Sequence, residues 1–262
     1  MPHRAPRLTV VSPPMMQRSG FDALNHELAP SWGAFRKGWL KARFEEGLHI
    51  RMMTAPCPAY IVFFSGGSRW HLIDGDGQAI VVQAISLPLA KPEIARSAVQ
   101  ELWDGVECFA RHYDFSSILL PVGQGAGLSP VWIADELGLT RVDHLENEAS
   151  LYACFVNGPA EMPRFKCGLS ERRRALGQGL VVQDCGMTER LSALSEGLIA
   201  RAAQIGLAAR HDLLRTARDV EARGATVAPV FGVYLDGTWL GGAETPPDVL
   251  WNKVQMRAQS PS

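Results

Sequence analysis

The sequence predicts an α/β protein: a mixed sheet with flanking helices, followed by a second, smaller α/β unit. Three observations carry this. Residues 49–87 read as consecutive strands joined by tight turns, and residues 79–156 then alternate strand with helix, the pattern of a mixed sheet. After a composition break, residues 180–258 repeat the alternation in a shorter form.

The elements follow in order. SWGAFRKGWLKARFEEGL (31–48) places Trp32, Phe35, Trp39 and Phe44 at helical spacing and predicts a helix. HIRMM and AYIVFFS are strands, and 65–68 is a turn. RWHLI is a further strand, DGDG a second turn, and AIVVQAISL (79–87) a longer strand. A helix over 92–112, a strand in SSILLPV, a glycine-rich loop, a helix over 129–138 and a last strand in ASLYACFV complete the first unit. In the loop GQGAG (123–127), strand, flexible segment and helix start can cradle an anion, or Ser129 is a simple helix cap with Pro130 at the first helical position.

The stretch NGPAEMPRFKCGLSERRRALGQG (157–179) mixes Pro, Gly and three successive arginines and reads as a connection. Beyond it come the strand LVVQDCGM, an amphipathic helix ended by Gly206, a strand near AARHDLLRT and a helix ending at Gly224. A hairpin turning at Asp236 and Gly237 and a terminal helix opened by TPPDVLW follow.

Composition limits function. A formal charge of −1 offers no basic field for nucleic acid, so none is expected as a partner. Apolar runs are too short and too often broken to span a bilayer, and the first twenty residues lack the apolar core of a signal peptide. Five dispersed cysteines, without a C-x-x-C, fit a reducing compartment; a cytoplasmic location and no metal site are expected. Cys108 and Cys154 sit in apolar periodic segments and are expected to be buried, whereas Cys57 and Cys167 read as loop thiols.

KGWLKARFEEGLHI, RWHLIDGDG, the strand, loop and helix of 79–102, ELGLTRVDHLENEASLYACF and PRFK form a scattered pattern over most of 31–166. On these residues the first unit resembles the GNAT acetyltransferases, and more narrowly their YoaP-like branch, in which such a domain precedes a small thioredoxin-like domain. The resemblance implies a GNAT-like domain over 1–166, a linker over 167–179 and a thioredoxin-like domain over 180–262. It implies a mixed sheet splayed open in its middle, with acetyl-CoA or another acyl-CoA in the gap. The acyl group would pass to an amine of a small molecule or peptide; the oligomeric state is left open. The cofactor-binding residues would be Ile85 and Leu87 at the strand end and Lys91, Ala95, Arg96 and Ser97 across the loop and helix start.

The loop departs from the family pattern Q/R-x-x-G-x-G/A. Ala90 takes the polar position, Glu93 the first glycine and Ala95 the last small residue. Pro92 removes a backbone donor. A Glu93 carboxylate facing a phosphate at 4 Å would meet repulsion on the order of 4 kcal/mol at an effective dielectric near 20. Either Lys91 and Arg96 supply charge in place of backbone donors, or Glu93 sits in the first helical turn where the helix dipole favours it. Two other functions stay open: a transferase with a non-CoA acyl donor, and a non-catalytic ligand- or partner-binding module with a degenerate loop.

Many GNAT enzymes place a tyrosine as general acid where this chain has Ala134. Tyr152, alternating on a strand, and Glu101 on the long helix are the candidates in its stead; Tyr113 reads as a packed helix end and His112 as part of a solvated face. The third candidate is Cys185 in VQDCGMTERL, at a strand–helix junction where a helix N-terminus lowers a thiol pKa. Three residues on stands Thr188 rather than a second cysteine, so monothiol chemistry is implied, and Pro229 would be the accompanying cis-proline.

Overall fold

The computed structural model describes residues 8–30, 32–55, 57–66, 70–75, 77–88, 92–124, 127–146, 148–157, 161–228 and 230–259. The elements in chain order are β1 (Thr9–Val11), a 3-10 turn (Pro13–Met15), α1 (Phe21–Glu27), α2 (Lys37–Phe44), β2 (Leu48–Met53), β3 (Ala59–Ser65), β4 (Ile73–Asp74), β5 (Ala79–Ser86), α3 (Pro92–His112), β6 (Ser117–Gly123), α4 (Val131–Glu136), β7 (Thr140–Leu145), β8 (Ala149–Phe155) and β9 (Arg164–Phe165). They continue with α5 (Leu169–Ala175), β10 (Leu180–Asp184), α6 (Glu189–Gln204), β11 (Ala209–Leu213), α7 (Ala217–Arg223), β12 (Phe231–Leu235), β13 (Thr238–Gly241) and α8 (Pro247–Ala258). Among the described residues, no helix is long and apolar enough to cross a membrane.

The mixed α/β architecture is present. A seven-stranded sheet runs β1-β2-β3-β5-β6-β8-β7, parallel between β5 and β6 and antiparallel elsewhere. Its central strands are apolar on both faces because both faces are covered. Ile61, Phe63, Ile80, Val82, Ile118 and Leu120 pack with α3 and α4 on one side. Tyr60, Val62, Phe64, Val81 and Leu119 face the other, where one continuous apolar cluster joins them to Val182 and Val233 of the second sheet and to Leu191 of α6.

That second sheet is ordered β11-β10-β12-β13, with β10 and β11 parallel and the other pairs antiparallel. The β12–β13 hairpin turns at Asp236 and Gly237, whose φ values of +49° and +70° suit the turn that a twisted hairpin needs. Two seams stitch the sheets together. Leu72 N donates to Val227 O, and the segment before α2 runs beside the β10–α6 junction, with a Phe35–Thr188 bridge and Arg36 N donating to Met187 O.

Several expectations change. The helix expected over 31–48 spans only Lys37–Phe44, and α1 precedes it. Asn25 holds the Phe35 backbone from both ends, its Nδ2 donating to Phe35 O and its Oδ1 accepting from Phe35 N, so an extended segment replaces the first helical turns. RWHLI is a strand only from Ile73, where β4 pairs with β9. Ser129 is no helix cap: the cap position of α4 is Pro130, and Ser129 instead bridges β6 at Val122. The connection at 167–179 contains α5, and its arginines are anchored. Arg172 donates to Glu221 O, and Arg173 donates to Ala225 O and pairs with Glu148 at 2.6 Å. Cys108 is exposed on α3 and Cys154 only half-buried, while the loop thiol Cys57 is buried.

Candidate functional site

The β5–β6 ladder lasts three pairs, Ala79–Ser117, Ile80–Ile118 and Val81–Leu119, and then opens. The sequence explains why. Continuing the register would set Gln83 opposite Pro121. Pro121 O accepts from Ser129 N, so this residue's backbone faces the gap, and proline has no N–H to offer there. On β5, the pairing with β3 skips from Val82–Phe63 to Ala84–Val62, which leaves Gln83 as an extra, bulged residue. A bulge bends and twists the strand that carries it. A missing donor on one strand and a bend in the other end the ladder at the same place.

Gly123 N donates to Ser129 O, so the segment entering α4 covers the β6 edge of the gap. The β5 edge beyond Val81 has no strand partner on that side among the described residues. Between them lies a cavity of about 470 Å³. Ala84, Ile85, Ser86 and Leu87 line one wall, Ser129, Trp132 and Ile133 another, and Glu27, Leu28 and Trp32 a third. Gln83 is 2% exposed and reaches this cavity; its Oε1 is buried and, among the described residues, accepts no hydrogen bond. Such an orphaned acceptor costs about 1–3 kcal/mol unless a partner arrives.

At one end of the wedge the two sheets meet on a glycine. Gly127 has φ +79°, and a side chain there would meet Val230 Cγ2 at 2.8 Å and Gln83 Nε2 at 3.0 Å. His71 Nε2 lies 3.1 Å from Gly127 O, and its Nδ1 is buried with no partner among the described residues. Burial pushes the His71 pKa down to about 4, against a smaller upward pull from the Gly127 carbonyl, so the ring is neutral at physiological pH.

Ile85 and Leu87 line the wedge. Ala95 is turned into the core at 4% exposure, Ser97 is exposed, and Arg96 pairs with Glu136 at 3.3 Å. Lys91 lies outside the described residues, as do Ala90 and Pro229. Glu93 sits exposed in the first turn of α3, the position that the helix dipole favours.

The three candidate catalytic side chains are not brought together, and none of them lines the wedge. Tyr152 packs half-buried against the core under α3. Glu101 is on α3 itself, its carboxyl raised above the usual range by burial and then by Asp104. Cys185 differs most from expectation: it is 3% exposed, and burial, with the adjacent Asp184 second, pushes its thiol pKa up rather than down. The helix start expected to activate it is covered by the segment before α2, with Thr188 Oγ1 donating to Trp32 O at 2.8 Å. Desolvation outweighs the helix dipole here.

Sequence reasoning missed Gln83, Glu27 and Trp132 as wedge residues. One signal was available: Gln83 is the single polar residue in the run AIVVQAI.

Among solved structures, the chain is similar to a protein of Desulfovibrio desulfuricans assigned to the GNAT acetyltransferase family, at 11% identity and a TM-score of 0.39, covering 57% of this chain and 99% of that one. It is also similar to a protein of Salmonella typhimurium assigned as an acetyltransferase and solved with its cofactor acetyl-CoA, at 14% identity and a TM-score of 0.40, covering 61% of this chain and 98% of that one. Likeness at this level carries no functional weight. No protein-family model and no curated protein matches the chain.

Proposed function

We propose that the chain is an N-acyltransferase that moves an acetyl or other acyl group from a CoA thioester to an amine of a small molecule or peptide. The observation that carries this is the wedge: a strand edge left open by Pro121 and the Gln83 bulge, beside a cavity of about 470 Å³ that holds a buried carbonyl oxygen with no hydrogen bond among the described residues. The residues suit an extended, amide-bearing arm. Gln83 Oε1 accepts an amide N–H, and the unpaired edge of β5 offers backbone groups as a further strand would. Ile85, Leu87 and Trp132 supply apolar walls.

The thioester supplies an activated acyl carbon. The chain supplies position, exclusion of water and strand N–H groups for the carbonyl oxygen. Among the described residues, Glu27 is the one carboxylate lining the wedge. It draws a cationic amine to the mouth and takes up a proton when the amine is acylated. Tyr152, Glu101 and Cys185 do not line the wedge and take no direct part in this reading, and Arg96 in the first turns of α3 would hold the phosphate end of the cofactor.

The second unit is read as thioredoxin-like on its strand order and on the placement of Cys185 between β10 and α6. Its buried, high-pKa thiol supports a structural rather than a redox role. The division into 1–166 and 180–262 and a cytoplasmic setting belong to the same proposal.

The test follows free thiol released from acetyl-, propionyl- and succinyl-CoA in the presence of a panel of primary amines and peptides. Amine-dependent release above the hydrolysis background is expected for at least one pair. Release that never exceeds background with any donor would overturn the assignment.

A further inference from the structure

A second and larger cavity, about 860 Å³, lies away from the wedge where the segment before α2 meets the β10–α6 junction. Its charge is one-sided. Arg36, Lys37, Arg43, Arg190 and Arg215 line it, against one carboxylate among the described residues, that of Glu189. Lys37 is paired with Asp22 and Arg43 with Glu46. The side chains of Arg36, Arg190 and Arg215 have no hydrogen-bond or ion-pair partner among the described residues. Clustered cations of this kind repel one another and focus a positive field into the cleft. A chain with a net charge of −1 does not arrive at this by overall composition.

The cluster is built rather than loosely rimmed. Arg43 is buried, with 7% of its side chain exposed; its guanidinium stacks 4.5 Å from the Trp70 ring and its Nη1 donates to Arg215 O. That bond ties α2 to the loop after β11. The Phe35–Thr188 bridge and the Arg36 N to Met187 O bond hold the other side. Two buried donors on lining residues, Arg43 Nε and Trp39 Nε1, have no acceptor among the described residues. Cys185, on the floor, contributes no competing negative charge while its thiol stays protonated.

We infer that this cleft binds a small polyanion bearing phosphate or carboxylate groups, held by Arg36, Arg190 and Arg215 over the fixed guanidinium of Arg43. Arginine forks suit either oxyanion, in paired charge-assisted hydrogen bonds. The site is independent of the acyl-transfer reading, since none of these cations lines the wedge.

The test is calorimetric titration of the full chain with inorganic pyrophosphate and, separately, with citrate, at matched ionic strength. The comparison is the double variant Arg190→Gln, Arg215→Gln; both residues are exposed, so the fold tolerates the change. Saturable binding near one equivalent is expected for the wild type, with affinity at least tenfold weaker in the variant and falling as salt rises. Binding of pyrophosphate alone assigns a phosphate-bearing ligand, and binding of citrate alone a carboxylate-bearing one. No saturable binding of either probe, or equal affinity in the variant, overturns the inference.

Discussion

Replacing Trp103 with alanine is expected to destabilise the protein by about 3–5 kcal/mol, the usual cost of removing a large aromatic side chain from a packed core. Trp103 is 1% exposed on α3, where it is among the largest fully buried side chains and packs in the cluster beneath the sheet. Its Nε1 donates to Glu107 Oε1 at 3.1 Å, so truncation also removes a hydrogen bond. The position is consequential because α3 covers the face of β5 and β6 that holds the wedge in shape. Scanning calorimetry should record a melting temperature lower by roughly 10 °C. An unchanged midpoint would mean that α3 is not packed as described.

The second large effect is on activity. Ala84 lines the wedge directly after the bulge and is 8% exposed. In Ala84→Phe, a benzyl group would occupy the space proposed for the thioester arm. Filling a cavity costs little stability when the volume is already empty, so the variant should fold with nearly the wild-type melting temperature. Acyl transfer should fall by about 100-fold or more, because displacing a reacting group by an ångström already costs that much. Steady-state rates measured beside the melting curve separate a plugged site from an unfolded protein. Wild-type turnover in a well-folded Ala84→Phe would place the chemistry elsewhere.

Much of the sheet was legible because burial on both faces leaves little to misread. AYIVFFS and AIVVQAIS, the latter interrupted by Gln83, are apolar on both faces and cannot be solvated strands. The edge strand β7 escaped for the opposite reason. Its sequence TRVDHL is charged and largely exposed, as suits a sheet edge, so it lacks the apolar alternation that marks a strand. The overlong first helix arose from Trp32, Phe35 and Trp39, whose helical spacing is genuine but whose partners are tertiary. Trp32 and Phe35 meet edge-to-face 5.5 Å apart in extended chain.

Of the expected site residues, Ile85 and Leu87 line the wedge and the three catalytic candidates do not. Pro121 and Gln83 are each unusual in their strands, yet only the register shows that both fall where the β5–β6 ladder ends. Ser129 beside Pro130 has the local chemistry of a helix start. The open backbone of Pro121 and Gly123 nevertheless claims it, since buried strand groups must find partners. Cys185 was correctly located at a strand–helix junction, but its environment is set by Trp32 and Phe35, some 150 residues earlier in the chain. No local rule reports a cover that comes from so far away.

Backbone hydrogen–deuterium exchange over residues 82–87, with and without acetyl-CoA, tests the open wedge most directly. With the β5 edge free on the β6 side, the amides of this stretch that do not donate to β3 should exchange faster than those of 59–64 on the fully paired neighbouring strand, and acetyl-CoA should protect them in the wild type but not in Ala84→Phe. Slow exchange without ligand, or protection that fails to appear or is the same in the variant, would contradict a ligand seated between β5 and β6.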